Sequence, residues 1–207
     1  VTIRTVENFT KAGLPVDAEA VVLIEVDGYK ESVMREAEIV ERICRECGAV
    51  EVKAAESDEE RDNIWFARRN ALPALAQLKP TTVLEDATVP RSKIPEMLRA
   101  IRQIAEKYTL TIGTFGHAGD RNLHPTIVTD YRDKEEMERV EKAVDEIFEA
   151  AISLGGTLSG EHGVGMAKAK YLPLEFGEAG VRVLRRIKEA LDPDYLLNPG
   201  KIVLRGE

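Results

Sequence analysis

Only three histidines occur in the 207 residues, and all three lie in glycine-rich stretches. His117 and His124 belong to Gly113-Thr-Phe-Gly-His-Ala-Gly-Asp-Arg-Asn-Leu-His-Pro125, and His162 follows Glu161 in Leu158-Ser-Gly-Glu-His-Gly-Val-Gly165. His117 and His124 are separated by turn residues, with β-branched and aromatic stretches on either side at Thr109–Phe115 and Leu123–Thr129, so a β-hairpin is the natural reading. A loop at Asp120-Arg121 would set His117 opposite His124, with Cβ atoms about 5 Å apart. A helix would separate them by about 10 Å. Two imidazoles held so close can grip one metal ion or one anionic group. With Glu161 they form a two-histidine, one-carboxylate set suited to zinc or a similar divalent ion, with positions left open for substrate or water. His162 is then free to act as an acid or base near neutral pH. The plainer alternative is that histidines in tight turns bond only to backbone.

Other residues carry weaker signals. Arg68 and Arg69 follow Trp65 on an amphipathic stretch, where a guanidinium can clamp a carboxylate bidentately, although helix arginines are mostly solvated. Asp120 could orient an imidazole but reads first as a turn residue. Glu85-Asp86 sits within an extended stretch and is ordinary there. Cys44 and Cys47 form a lone Cys-Arg-Glu-Cys, read as part of an apolar helix face rather than as a redox or metal motif. The glycine repeats lack the strand-to-helix setting of a nucleotide loop.

The positioning elements follow from periodicity and punctuation. Helices are expected at Thr2–Ala12, at Tyr29–Cys47 ending on Gly48, and from a capping box at Ser57/Glu60 to near Pro73. Further helices are expected from Ser92 to Lys107, at Asp133–Leu154, at Ala167–Leu172 and at Gly177–Leu191. Strands are expected at Ala20–Val26 (AVVLIEV), Ala49–Ala54 and Thr81–Val89 and in the hairpin, with an extended tail over Tyr195–Leu204. That order describes an α+β fold: a mainly antiparallel sheet with helices on one face, ferredoxin-like as a single or a duplicated unit.

Composition narrows the function classes. With 43% hydrophobic and 32% charged residues the chain is an ordinary globular one, large enough to bury a core. A net charge of -8 with no basic stripe excludes a nucleic-acid binder. No apolar run nears the length of a membrane span and no signal peptide opens the chain, so a cytoplasmic protein is expected.

Five ordered segments, WFARRNALPAL, EDATVPRSKI, GHAGDRNLHP, SGEHGVGMAK and LNPGKI, together resemble the C-terminal half of FAD-linked 2-hydroxy-acid oxidases and dehydrogenases. This family includes the flavin subunit of glycolate oxidase and the D-lactate and D-2-hydroxyglutarate dehydrogenases. The resemblance covers nearly the whole chain and implies a cap, or substrate, domain over residues 1–207 that closes on FAD held by a separate N-terminal domain. It implies that His117, His124 and Glu161 hold a divalent metal, that His117 and Arg68 contact the substrate, and that His162 takes the hydroxyl proton. Asn122, Asn198 and Lys201 are implied on the FAD side.

Two departures stand out. Arg121 occupies a position where the family usually has glycine and where positive φ is expected. Leu84 stands near the place of a substrate-binding lysine found in some relatives, which favours a small acid such as glycolate or D-lactate. The chain opens at Val1 without the FAD-binding half, so it is expected to be inactive alone, as a piece of a larger oxidase or a subunit needing a partner. Further oxidase or iron-sulfur subunits, which would make it peripheral to the membrane, are also implied. The rival reading is a stand-alone ferredoxin-like module that binds a small carboxylate or metal without catalysis.

Overall fold

The computed structural model describes residues 1–202. Its contacts divide the chain into two units, one of Ile3–Ala71 and one of Val1–Thr2 with Leu72 onward.

In the Ile3–Ala71 unit the helices form where expected: α1 at Thr2–Thr10, α2 at Lys30–Glu46 and α3 at Asp58–Arg69. Gly48, at φ +87°, follows the end of α2 and donates its N–H to Arg45 O. Ser57 caps α3 by accepting from Glu60 N–H at 3.2 Å, and Glu60 Oε2 in turn accepts from Glu56 N–H. The two expected strands do not form. Residues 20–26 and 49–54 are irregular, and Val22 is 67% exposed. A lone extended segment leaves its backbone unpaired unless a neighbour supplies a ladder, and no strand lies within this unit among the described residues. The repeat of the ferredoxin-like pattern is therefore not built here. Nor does the apolar face of α2 pack into a core: no residue of α2 is buried, Cys44 is half-buried and Cys47 exposed.

The second unit carries the sheet. After α4 (Ala71–Ala76) come β1 (Thr81–Leu84), β2 (Ala87–Thr88), a short 3-10 turn at Arg91–Lys93, α5 (Ile94–Lys107), β3 (Thr111–His117), β4 (Asn122–Thr129) and α6 (Lys134–Ser153). The break before α4 falls at Asn70 rather than at Pro73, which is tolerated in the first turn of α4. Ser92 does not cap α5: it lies in the 3-10 turn, and Lys93 occupies the cap position without a side-chain bond. Asp133 does cap α6, accepting from Glu136 N–H at 2.9 Å.

β4 is central, with β3 antiparallel on one edge and β1 and β2 antiparallel on the other. The registers Leu84↔Thr126 and Ala87↔Leu123 are continuous, so β1 and β2 are one strand interrupted opposite Pro125. Glu85 N–H still donates to Pro125 O, but proline has no N–H to return. Thr157, after α6, bridges antiparallel to Thr88. The order β-α-β-β-α followed by that bridge is one ferredoxin-like unit with a vestigial last strand.

α5 and α6 pack on one face of the sheet. Met97, Ile101 and Ile104 meet Val140, Ile147 and Phe148 over Ile112, Leu123 and Ile127. This is the apolar stripe expected of Asp133–Leu154. On the opposite face Leu75 of α4 presses on Gly113, where an added Cβ would lie 2.5 Å from its methyl. Farther along that face lie the histidines.

The C-terminal part follows expectation less closely. Helix over Ala167–Leu172 is only a 3-10 turn at Ala169–Tyr171, and α7 runs Leu172–Leu191 with a break at Gly177 (φ 62°, ψ 173°). Residues 195–202 are turns rather than extended chain, with Tyr195, Asn198 and Ile202 at positive φ. Val203 and Leu204 lie outside the described residues. No helix among the described residues is long and apolar enough to cross a membrane.

Candidate functional site

The hairpin forms, but its register differs by two residues from the expected one. His117 pairs with Asn122, and His124 pairs with Phe115. The connection spans residues 118–121, with Asp120 N–H donating to His117 O and Arg121 N–H to Ala118 O. Side chains alternate with a period of two, so an even slip keeps both histidines on one face. They meet diagonally rather than directly, with ring centroids 5.4 Å apart, edge to face. Arg121 adopts φ +68°, the conformation for which glycine is the natural choice. Asp120 lies exposed in the turn, the plainer of its two readings.

Two cross-strand rows build the site. Thr88, Asn122 and His117 form one, and Phe115 with His124 forms the next. Carrying the register through the Pro125 interruption sets Asp86 opposite His124, on the same face.

The stretch after Thr157 is laid over these rows by three anchors. Glu175 accepts from Thr157 Oγ1 (2.6 Å) and Leu158 N–H (3.0 Å). Gly160 fits between Thr88 and Asn122, where a Cβ would lie 2.4 Å from Thr88 Oγ1 and 2.8 Å from Asn122 Cγ, so the absent side chain lets the turn close onto the sheet. Asp86, wholly buried, accepts through Oδ2 from the N–H groups of Gly160, Glu161 and His162 (2.9–3.0 Å) and from Ser159 Oγ (3.1 Å). Its Oδ1 pairs with the ammonium of buried Lys168.

These anchors bring Glu161 to the histidines. Glu161 Oε1 lies 3.0 Å from His124 Nε2 and 3.9 Å from His117 Nε2, and one ligand atom from each of the three residues falls within 4.8 Å of the others. His162 stacks on His124, centroids 5.2 Å apart and planes 17° apart. The His124 side chain is 5% exposed, whereas His117 and Glu161 are about half exposed, so the trio has a buried floor and an open side. The donor set and its convergence fit a divalent ion with free positions facing solvent.

Burial and charge set the protonation states. Burial lowers the His124 pKa, opposed by Glu161 and reinforced by the neighbouring imidazoles, so its ring is neutral and able to offer a lone pair near pH 7. Burial alone would raise the Asp86 pKa. The Glu161 N–H, the Lys168 ammonium and the His162 N–H outweigh it and hold the carboxyl well below the usual range. Burial raises Glu85, with Lys168 3.6 Å away opposing the shift.

The remaining expected residues lie on three separate segments of the chain. Asn122 is buried, its Oδ1 accepting from Thr88 Oγ1 (3.1 Å) while Nδ2 has no partner among the described residues. Asn198 and Lys201 are exposed in the closing turns, which return to the glycine-rich stretch through Ile202 N–H to Gly165 O at 2.8 Å. Arg68 lies half-buried near the end of α3, in the Ile3–Ala71 unit. Sequence reasoning missed Asp86, Ser159, Lys168 and Glu175. The available signal was an acidic pair inside an otherwise uncharged strand, which needs a buried counter-charge.

The family described as "FAD linked oxidases, C-terminal domain" matches residues 1–202. The chain belongs to this family. It is 55% identical over 201 residues to the glycolate oxidase subunit GlcD of Bacillus subtilis (97% of this chain, 43% of that protein). It is 38% identical over 200 residues to GlcD of Escherichia coli strain K12 (97% and 40%). It is also 33% identical over 187 residues to a D-lactate dehydrogenase of Anaerostipes hadrus (88% and 39%). The chain thus spans less than half the length of these relatives. Among solved structures, 4-ethylphenol oxidase from Gulosibacter chungangensis in its isoeugenol complex superposes with a TM-score of 0.58 at 16% identity, covering 87% of this chain and 38% of that one. That likeness supports the α+β fold of this FAD linked oxidase domain.

Proposed function

We propose that this chain is the substrate-binding cap of an FAD-dependent oxidoreductase that converts a small 2-hydroxy acid, glycolate or D-lactate, into the 2-oxo acid. The observation that carries the reading is the convergence of His117, His124 and Glu161 with His162 stacked beside them, in a chain of this family. When bound, FAD supplies the two-electron acceptor for the Cα hydride, and a divalent ion supplies Lewis-acid polarisation of the hydroxyl and carboxylate.

The chain's own residues do the rest. His117 Nε2, His124 Nε2 and Glu161 Oε1 would hold the ion, and the exposed side of His117 would border the substrate. His162 takes the hydroxyl proton as the C–H bond breaks. Arg68 binds the substrate carboxylate through its planar guanidinium. Asn122, at the start of β4, and Asn198 and Lys201, in the closing turns tied to the glycine-rich stretch, serve the FAD side. The FAD-binding domain is the required partner. A cytoplasmic assembly with further oxidase or iron-sulfur subunits, peripheral to the membrane, fits the same reading.

The test is reconstitution with an FAD-binding domain of the family and measurement of dye reduction with glycolate and D-lactate. Turnover should appear with one of the two acids and disappear in His162→Ala. Full activity in that variant removes the base assignment, and turnover without flavin removes the oxidoreductase reading.

A further inference from the structure

We infer that Asp86 is a positioning residue for the proton-accepting histidine, acting through the backbone it binds and through the ring it faces; this rests on the oxidoreductase reading above. Three consecutive N–H groups, from Gly160, Glu161 and His162, converge on one carboxylate oxygen. A backbone concavity of this kind is an anion cradle, and here the anion is built into the sheet. Asp86 lies in the row of His124, so the same carboxylate ties the turn carrying Glu161 and His162 to the strands carrying the other two imidazoles. Ser159 closes the turn from inside, donating to Asp86 while accepting from Gly163 N–H at 2.8 Å. Lys168 supplies the counter-charge and also donates to Leu158 O at 3.0 Å, at the start of the turn.

The ring contact gives Asp86 a second task. Asp86 Oδ1 lies 3.7 Å from His162 Nδ1, beyond hydrogen-bond length but close enough for the charge to favour a proton on Nδ1. That tautomer leaves the Nε2 lone pair free to take a proton from substrate. The stack of His162 on His124 holds the plane of the ring, and Asp86 selects which nitrogen is bare.

With only three histidines in the chain, nitrogen-15 labelling of histidine reads this directly. The 207-residue chain should show His162 as the Nδ1–H tautomer, with cross-peaks between the ring protons of His124 and His162. In Asp86→Asn/Lys168→Met, which removes both buried charges together, the tautomer should become mixed and the cross-peaks weaken. In the reconstituted enzyme kcat should fall by about 10–100-fold, with KM changed far less. If the double variant does not fold, Ser159→Ala removes one tether of Asp86 without unpairing a charge and should move the same signals in the same direction. An unchanged tautomer and unchanged cross-peaks in a folded variant, with only thermal stability reduced, would overturn the inference and leave Asp86 a purely structural anchor. His162→Ala separates the two claims: retained turnover there refutes the base assignment, while the spectra still decide what Asp86 does to the ring.

Discussion

Lys168→Met isolates the counter-charge beneath the site. Lys168 is 4% exposed, and its ammonium pairs with Asp86, which is wholly buried, while Glu85 stands 3.6 Å away. Methionine keeps most of the volume over the Phe148 ring, where the ammonium sits 5.2 Å from the centroid. What the substitution removes is therefore mainly charge. Breaking one side of a buried ion pair costs about 3–5 kcal/mol. Asp86 retains three N–H donors and Ser159 Oγ, so the lower end, about 3 kcal/mol, applies. For a chain of this size that is a fall of about 6–12 °C in Tm. The sign of the pH dependence follows from the depressed Asp86 carboxyl. Its stabilisation is complete above the unfolded value, about 3.9, and is lost as pH falls through the lower folded value. The gap between wild type and variant should thus be full at pH 7 and close in strong acid. Urea unfolding followed by circular dichroism at a series of pH values measures it. A loss below about 1 kcal/mol at neutral pH would show that backbone donors alone hold Asp86 and would refute the reasoning.

Three further outcomes are expected. Arg121→Gly relieves the positive φ of the hairpin turn and should raise stability by up to about 1 kcal/mol, read from the urea midpoint, without altering the sheet. Phe148→Ala empties the centre of the core against Tyr171, whose ring centroid is 4.7 Å away, and should cost about 3–5 kcal/mol by the same titration. Glu85 has a raised pKa in the fold, so the native state holds its proton more tightly than the unfolded chain and stability declines as pH rises from the unfolded value, about 4.3, through the raised one. Glu85→Gln should flatten that part of the curve; an unaltered slope would mean that Glu85 is not the group responsible.

Much of the site was legible because its signals are local. A hairpin with glycine-rich turn chemistry follows from short-range rules, and histidine spacing across it survives a two-residue error in register because the face is conserved under an even shift. The positive φ at Arg121 was likewise legible, from a glycine expected at that place. What escaped notice was long-range. Asp86 and Glu161 are 75 residues apart, and only the pairing of β1 and β2 with β4, together with the Thr88–Thr157 bridge, brings them together. Strand formation at residues 20–26 and 49–54 failed for a related reason: an apolar, β-branched composition states a preference, but a strand exists only where a partner accepts its hydrogen bonds.

By itself, then, the sequence determined the helices with strong caps and stripes, the hairpin and the family to which the chain belongs, and it put forward the three imidazoles and Glu161 as the candidate groups. Tertiary structure alone decided which charges are buried, that Asp86 and Lys168 pair under the turn carrying Glu161 and His162, and that His162 stacks on His124. Those facts depend on the free energy of removing an ion pair from water and on contacts between distant segments. Neither quantity is encoded in the spacing of neighbouring residues.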